Sequence, residues 1–420
     1  MPQTEAIAGE HRPVRRSVLR RLWQQLPQHT RRQIMYDVGR LLAPRPDSSP
    51  RGGWPLSIAG LFSTASGLGE GARLAYAALE AAGRTPAAYD LSPAFGQKEM
   101  APPSLRALQS GGGGSLVVHH NGPYTPHAMW ALGSARVRGR RIIGYWAWEL
   151  PKLPDDWSGA FPFVHEIWVP SGFTRDAVAA ATSKPVHVVP HPLPDVAHTP
   201  NMRAVLGLPT DALMVLNVFH LGSAFARKNP VAAVNAFRRA FGEAQDKVLV
   251  IKLVDNGAAD WARRALDEAV AGAGNIRVVD RMLAQPDMSG LIAASDIVIS
   301  LHRSEGFGLV PAEAMKLGKP VVATGWSGNL EFMTPENSAL VRYGLVPVDD
   351  PEQTFDAGSQ RWADADVEDA AQWLRRLTDT ELRQRMGAAA QADIKRKLSP
   401  DGFVRTVDRL LSERPKAEVA

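Results

Sequence analysis

Glu305 and Glu313 stand with seven residues between them, and Gly306-Phe307-Gly308 follows the first of the pair. A glycine loop that feeds a helix N-terminus presents backbone N–H groups and the positive end of the helix dipole, which suits a diphosphate. Two carboxylates would repel that anion, so they suit the hydroxyl groups of a sugar on either side of it. Upstream, Arg227-Lys228 can neutralise a departing diphosphate, Lys as a point charge and Arg as a fork. Lys228 is expected to carry this role and Arg227 can substitute as the second cation, although adjacent side chains on a helix point in different directions. In the first half, His119 and His120 close an apolar run, at the end of a strand where α/β sites gather. A polar loop histidine is the bland reading of either.

These residues need a scaffold. Residues 296–300 form a short β-branched run of the buried parallel-strand kind, residues 311–317 have helical character between Pro311 and Gly318, and residues 320–323 are a further strand. Strand, glycine loop, helix and strand make half of an open sheet, whose ligands bind at the strands' carboxyl ends. The same domain takes strands at 213–219, 248–253 and 276–280. Before it, a first strand at 56–62 leads into Ser66-Gly67-Leu68-Gly69-Glu70-Gly71 and a helix. Gly67 and Gly69 permit close approach to a ligand, although a tight turn alone would use the same residues. Further strands are expected at 115–118, 142–149, 166–171 and 186–190, with a helix at 174–181. Aromatic faces stack on sugar rings, so Trp146, Trp148 and Glu149 are acceptor-site candidates, while most of the 11 Trp belong to the core. The expected units are an extension at 1–50, an α/β domain at 51–200, a second at 201–400 and a final helix at 401–420.

Composition sets the outer limits. A chain of 420 residues holds two domains, and 45% hydrophobic with 22% charged residues is ordinary for a globular protein. No run is long and apolar enough to span a bilayer and no apolar leader follows the N-terminus, so a cytoplasmic location is expected. The absence of cysteine removes disulfides and thiolate chemistry. Residues 1–50 carry nine Arg against Glu5, Glu10, Asp37 and Asp47, a balance of +5 that equals the whole chain's net charge. A basic stripe on the folded body is missing, which excludes a nucleic-acid partner. Two basic amphipathic helices, one with Val14, Val18, Leu22 and Trp23 and one with Ile34, Met35, Val38, Leu41 and Leu42 on a face, suit either an anionic membrane surface through residues 12–42 or packing on the chain's own domain.

The segment SEGFGLVPAEAMKLGKPVVAT, with its glutamate pair, Gly-Phe-Gly and Gly-Lys-Pro-Val-Val, resembles the signature of retaining nucleotide-sugar glycosyltransferases of family 4, which have the GT-B fold of two Rossmann-like domains facing each other across a cleft. The resemblance is firm over residues 213–342. It implies that Glu313 binds the nucleotide ribose and Glu305 the sugar hydroxyls. The diphosphate is expected against the N–H groups of Gly306, Phe307, Gly308 and Leu309 and against Lys228, with Gly67 and Gly69 facing it and the base near Met282. The family's arginine in a Gly-Arg pair is missing, because Ser223 follows Gly222; Arg227 is the substitute at hand. A histidine at the first domain's strand end touches the transferred sugar in the family, and the order His120-Asn121-Gly122-Pro123 favours His120 over His119. Retention, a leaving phosphate that accepts the acceptor's proton, and independence of metal are further implications, and Asp364-Ala365-Asp366 reads as helix capping. The partners implied are a nucleotide-diphosphate sugar and a glycan or lipid-linked acceptor of bacterial polysaccharide or glycoconjugate synthesis. The rival from another class is a catalytically silent sugar-binding or scaffold subunit.

Overall fold

The computed structural model describes residues 28–50, 52–97, 99–255, 260–355 and 358–413. The first amphipathic stretch, residues 14–26, lies outside them. The chain builds two six-stranded parallel sheets, as the run of short apolar segments separated by helical ones requires. The first contains β1 (Leu56–Gly60), β2 (Ala87–Asp90), β3 (Ser115–His119), β4 (Arg141–Tyr145), β5 (Glu166–Val169) and β6 (Val186–Val188), in the order β2-β1-β3-β4-β5-β6. The second contains β7 (Leu213–Val218), β8 (Lys247–Leu253), β9 (Ile276–Asp280), β10 (Ile297–Ser300), β11 (Val321–Thr324) and β12 (Ala339–Val341), in the order β12-β11-β10-β7-β8-β9. Both faces of each sheet are covered, which is why β1, β3, β4 and β5 are buried at every position. Strand order reverses between β1 and β3 and again between β7 and β10, and each reversal opens a crevice at the carboxyl ends.

The two domains touch along a line of polar contacts and rings. Ser171 Oγ and Thr174 Oγ1 donate to the Gly306 carbonyl at 2.6 and 3.3 Å, and Gly172 N donates to Glu331 Oε2 at 2.8 Å. A small antiparallel pair, β13 (Tyr343–Pro347) and β14 (Arg361–Ala365), carries the loop whose Phe355 ring lies 5.3 Å from Trp148. The last helix, Pro400–Ser412, returns to the first domain, where Phe403, Val404, Val407, Leu410 and Leu411 join the core formed by Gly67–Ala81 and β1. Buried Arg141, paired with Glu166, ties that helix down by donating to the carbonyls of Leu410 at 3.1 Å and Glu413 at 2.9 Å.

The helix Gln28–Leu42 lies on the helix Thr125–Leu132. Its buried side holds Tyr36, Gly39 and, just past its end, Ala43, with the Tyr36 ring 5.8 Å from Tyr124. Ile34, Val38, Leu41 and Leu42 face outward, Leu41 with 82% of its surface exposed among the described residues. The apolar stripe read from the sequence is thus the outer face.

Candidate functional site

At the β7–β10 crevice a single helical turn, Phe225–Lys228, is bracketed by Ala224 at φ 57° and Asn229 at φ 50°, both left-handed. One turn between two reversals does not obey the geometry of a long helix, and both cations aim at the same carboxylate. Lys228 Nζ donates to Glu305 Oε1 at 2.5 Å, and Arg227 Nη1 lies 3.2 Å from Glu305 Oε2. The helix geometry that would separate Arg227 from Lys228 therefore does not apply here. Arg227 is also buried and committed: it donates to the Ser304 carbonyl at 2.8 Å and to the Ser223 carbonyl at 3.2 Å, and Glu149 of the first domain stands 3.9 Å away.

Glu305 is held from both sides through its backbone. Its N–H donates to Ser327 Oγ at 2.8 Å, and its carbonyl accepts from Gly328 N at 2.8 Å. Burial works against its charge, but Lys228, Arg227 and His302 outweigh that and bring the carboxyl down to about 2. Burial holds Lys228 below the ordinary lysine range against the pull of Glu305. His302, which the sequence reading passed over, is the histidine beside this cluster; its ring nitrogens lie 3.1 Å from Ser300 Oγ and 3.1 Å from Asn329 Oδ1. The signal that would have found it and Ser327 is position: each follows a strand at the carboxyl edge.

Gly308, at φ 94°, begins the helix Leu309–Lys316, a conformation that glycine adopts without strain. Gly306 lies against the first domain, where a Cβ would come within 3.2 Å of the Trp148 carbonyl, and Phe307 is buried with its ring 5.1 Å from His191. Leu309 and Glu313 are half-buried on that helix. Burial, with Glu70 of the first domain adding like charge, pushes the Glu313 carboxyl up to about 8. The two glutamates that flank the glycine loop thus hold opposite protonation states at neutral pH.

The first domain's candidates are dispersed. His119 is stacked on Tyr145, centroids 4.2 Å apart, in the core beside His191. His120 points to the other face, stacked on Tyr124 at 4.6 Å with its Nδ1 accepting from Asn121 N at 2.9 Å. Burial holds both imidazoles neutral, His120 down to about 3, and neither is hydrogen-bonded to the Glu305 cluster. Trp146 and Trp148 are core residues, Trp146 donating to Thr125 Oγ1 at 3.2 Å and Trp148 to the Lys152 carbonyl at 2.8 Å. Their proposed stacking on an acceptor is corrected, since both indoles are enclosed by Trp157 and its neighbours. Glu149 does reach the site, through Arg227. Gly69 cannot carry a Cβ, which would come within 2.5 Å of the Thr64 carbonyl, whereas Gly67 heads its helix in open space. Met282 is exposed beyond β9. Asp366 caps the helix Val367–Arg376 through the N–H groups of Glu368 and Asp369, and Asp364 pairs with Arg303 at 3.1 Å.

Solved structures of low sequence identity share this fold. Sucrose-phosphate synthase from Thermosynechococcus elongatus superimposes with a TM-score of 0.62 at 16% identity, over 85% of this chain and 98% of that one. HepE from Anabaena, in complex with UDP and glucose, gives 0.61 at 15% identity, over 85% and 99%. The fold is GT-B. The second GT-B domain also matches a family model, described as glycosyl transferases group 1, over residues 217–364. That segment holds Arg227, Lys228, Glu305 and Glu313. Among curated proteins, D-inositol 3-phosphate glycosyltransferases are similar: that of Xylanimonas cellulosilytica is 30% identical over 226 residues, 50% of this chain and 47% of that protein. The one from a Nocardioides species is 30% identical over 206 residues, 45% and 39% respectively. The chain thus spans less than half the length of these relatives.

Proposed function

We propose that the chain is a retaining, metal-independent glycosyltransferase that moves a hexose from a nucleotide-sugar to a glycan or lipid-linked acceptor in bacterial polysaccharide or glycoconjugate synthesis. The observation that carries the reading is the convergence of Lys228, Arg227 and Glu305 at the β7–β10 crevice beside the start of the helix Leu309–Lys316. The group 1 family match over the same residues supports it. UDP or UDP-sugar in the related GT-B structures supports a nucleotide-sugar donor; whether that is a UDP-hexose or GDP-mannose is a matter for the assay.

The chemistry follows from charge. As the bond from the anomeric carbon to the phosphate oxygen breaks, positive charge grows on the sugar and negative charge on the diphosphate. Lys228 and the N–H groups from Gly306 to Leu309 face the diphosphate, ionised Glu305 holds the sugar hydroxyls, and Glu313 holds the ribose. The acceptor oxygen forms its bond on the face the diphosphate leaves, and its proton passes to a departing phosphate oxygen. No protein nucleophile or metal enters this scheme. The exposed stripe of Gln28–Leu42 would bring the enzyme to the inner face of a membrane where lipid-linked acceptors lie. Release of UDP or GDP from a panel of nucleotide sugars, with EDTA present, tests the reading. A donor turned over in EDTA supports it; turnover only with added Mn²⁺ or Mg²⁺ refutes metal independence, and no turnover with tight donor binding favours the silent subunit.

A further inference from the structure

The mouth of the second sheet holds another buried cation. Lys252, the penultimate residue of β8, is 5% exposed and pairs in register with Val218 of β7 and Val279 of β9. Residues paired across parallel strands share a face, and Val218 and Val279 pack into the cluster that contains Phe307 and Leu309. Lys252 therefore lies on the sheet face covered by the helix Leu309–Lys316, at the carboxyl edge and one strand from the loop that carries Lys228. Its ammonium has three donors, and one is used, on the Leu253 carbonyl at 3.1 Å. No carboxylate among the described residues forms an ion pair with it. Asp280, opposite Leu253, is taken by Arg263 at 2.6 Å and by Asp255 N at 3.1 Å.

A buried ammonium without an anion is costly, so such a group persists where a ligand supplies the counter-charge. Burial holds Lys252 down to about 8 in spite of Asp280. The other cation of this crevice, Arg227, already commits both terminal nitrogens, to Glu305, Ser304 and Ser223, and the position after Gly222 is a serine. A diphosphate carries more charge than Lys228 alone neutralises.

We propose that Lys252 is a phosphate-binding residue, the second cation that meets the diphosphate of the nucleotide-sugar together with Lys228. The inference rests on the nucleotide-sugar reading above. Its test is calorimetric titration of the full chain with UDP, GDP, uridine and guanosine, for the parent protein and for Lys252→Met and Lys252→Arg. Loss of one charged hydrogen bond should weaken the preferred diphosphate by about tenfold or more in Lys252→Met. Nucleoside affinity should stay within about twofold, Lys252→Arg should recover most of the loss, and the unfolding temperature should not fall. Equal diphosphate affinity in all three proteins overturns the assignment. An equal loss for nucleoside and diphosphate places Lys252 on the base or ribose and overturns it as well. A parent protein that binds neither diphosphate refutes the nucleotide-sugar reading itself, a result distinct from both. Should Lys252→Met not fold, Lys252→Gln carries the same comparison.

Discussion

Glu305 and Glu313 are one residue type in two environments, and the environments set opposite protonation. Glu305 lies below its ordinary value, at about 2, so its contribution to stability is present above pH 4.5 and is lost as pH falls toward 2. Glu313 lies above, at about 8, so its contribution is present below pH 4.5 and is lost as pH rises through 8. Glu313→Gln should therefore remove a fall in stability between these values: measured at pH 5 and pH 9, the variant's melting temperature should gain on the parent's at the higher pH. Parallel pH profiles would contradict the assignment. If Glu313, protonated at neutral pH, holds the ribose, the same variant should also lose about 0.5–1.5 kcal/mol of donor binding, the range of a neutral hydrogen bond. Unchanged donor affinity in a folded variant would take Glu313 out of the site. Glu305→Ala leaves two buried cations facing each other, and removing one partner of a buried ion pair costs about 3–5 kcal/mol. Denaturant unfolding should show that loss, and sugar transfer should be absent even where the variant is folded; a stable, active variant would remove Glu305 from both roles.

The loops that carry these residues are held by backbone contacts too close for a side chain. A Cβ on Gly328 would come within 2.2 Å of the Gly306 carbonyl, so Gly328→Ala must displace the loop between Glu305 and the helix Leu309–Lys316. Overpacking of this kind costs about 1–3 kcal/mol, and transfer should fall more than stability does; an alanine variant of parental activity would show that the loop tolerates the shift. Such elements were legible where strands are buried on both faces, because their sequence is one apolar run: β1, β3, β7, β8 and β10 lie within a residue or two of their expected bounds. β2, with the sequence Ala-Ala-Tyr-Asp, has no β-branched residue, and β12 has three residues, so neither announces itself. The glutamate pair and Lys228 were legible because they are local in sequence. What was not legible is the facing of side chains. A strand buried on both faces has no polar side to set its alternation, so nothing in the sequence told Trp146 in the core from Trp146 in a cleft, or His119 from His120. Contacts such as Ser171 to Gly306, 135 residues apart, are properties of the assembled domains.

The whole molecule joins a basic arm to two domains that together carry no net charge, for residues 51–420 sum to zero and residues 1–50 to +5. The helix Gln28–Leu42 places part of that arm. Its packing is made by Tyr36, Gly39 and Ala43 against Thr125–Leu132, which leaves Ile34, Val38, Leu41 and Leu42 outward, with exposed Arg40 on the same helix. Deleting the arm would uncover the first domain, because a Cβ on Gly39 would already approach the His127 backbone at 3.1 Å and Tyr36 is enclosed. Substitution of the outward face, Val38→Ser with Leu41→Ser and Leu42→Ser, keeps the packing and removes the apolar stripe. Each basic residue near an anionic bilayer contributes about 1 kcal/mol, and the stripe adds burial in the headgroup region. The parent protein should therefore co-sediment with vesicles rich in anionic lipid and not with zwitterionic ones. The triple variant should stay in the supernatant at unchanged melting temperature, and raised salt should weaken the parent's binding within the screening range. Equal sedimentation of parent and variant would show that the outward face of this helix is not the membrane contact.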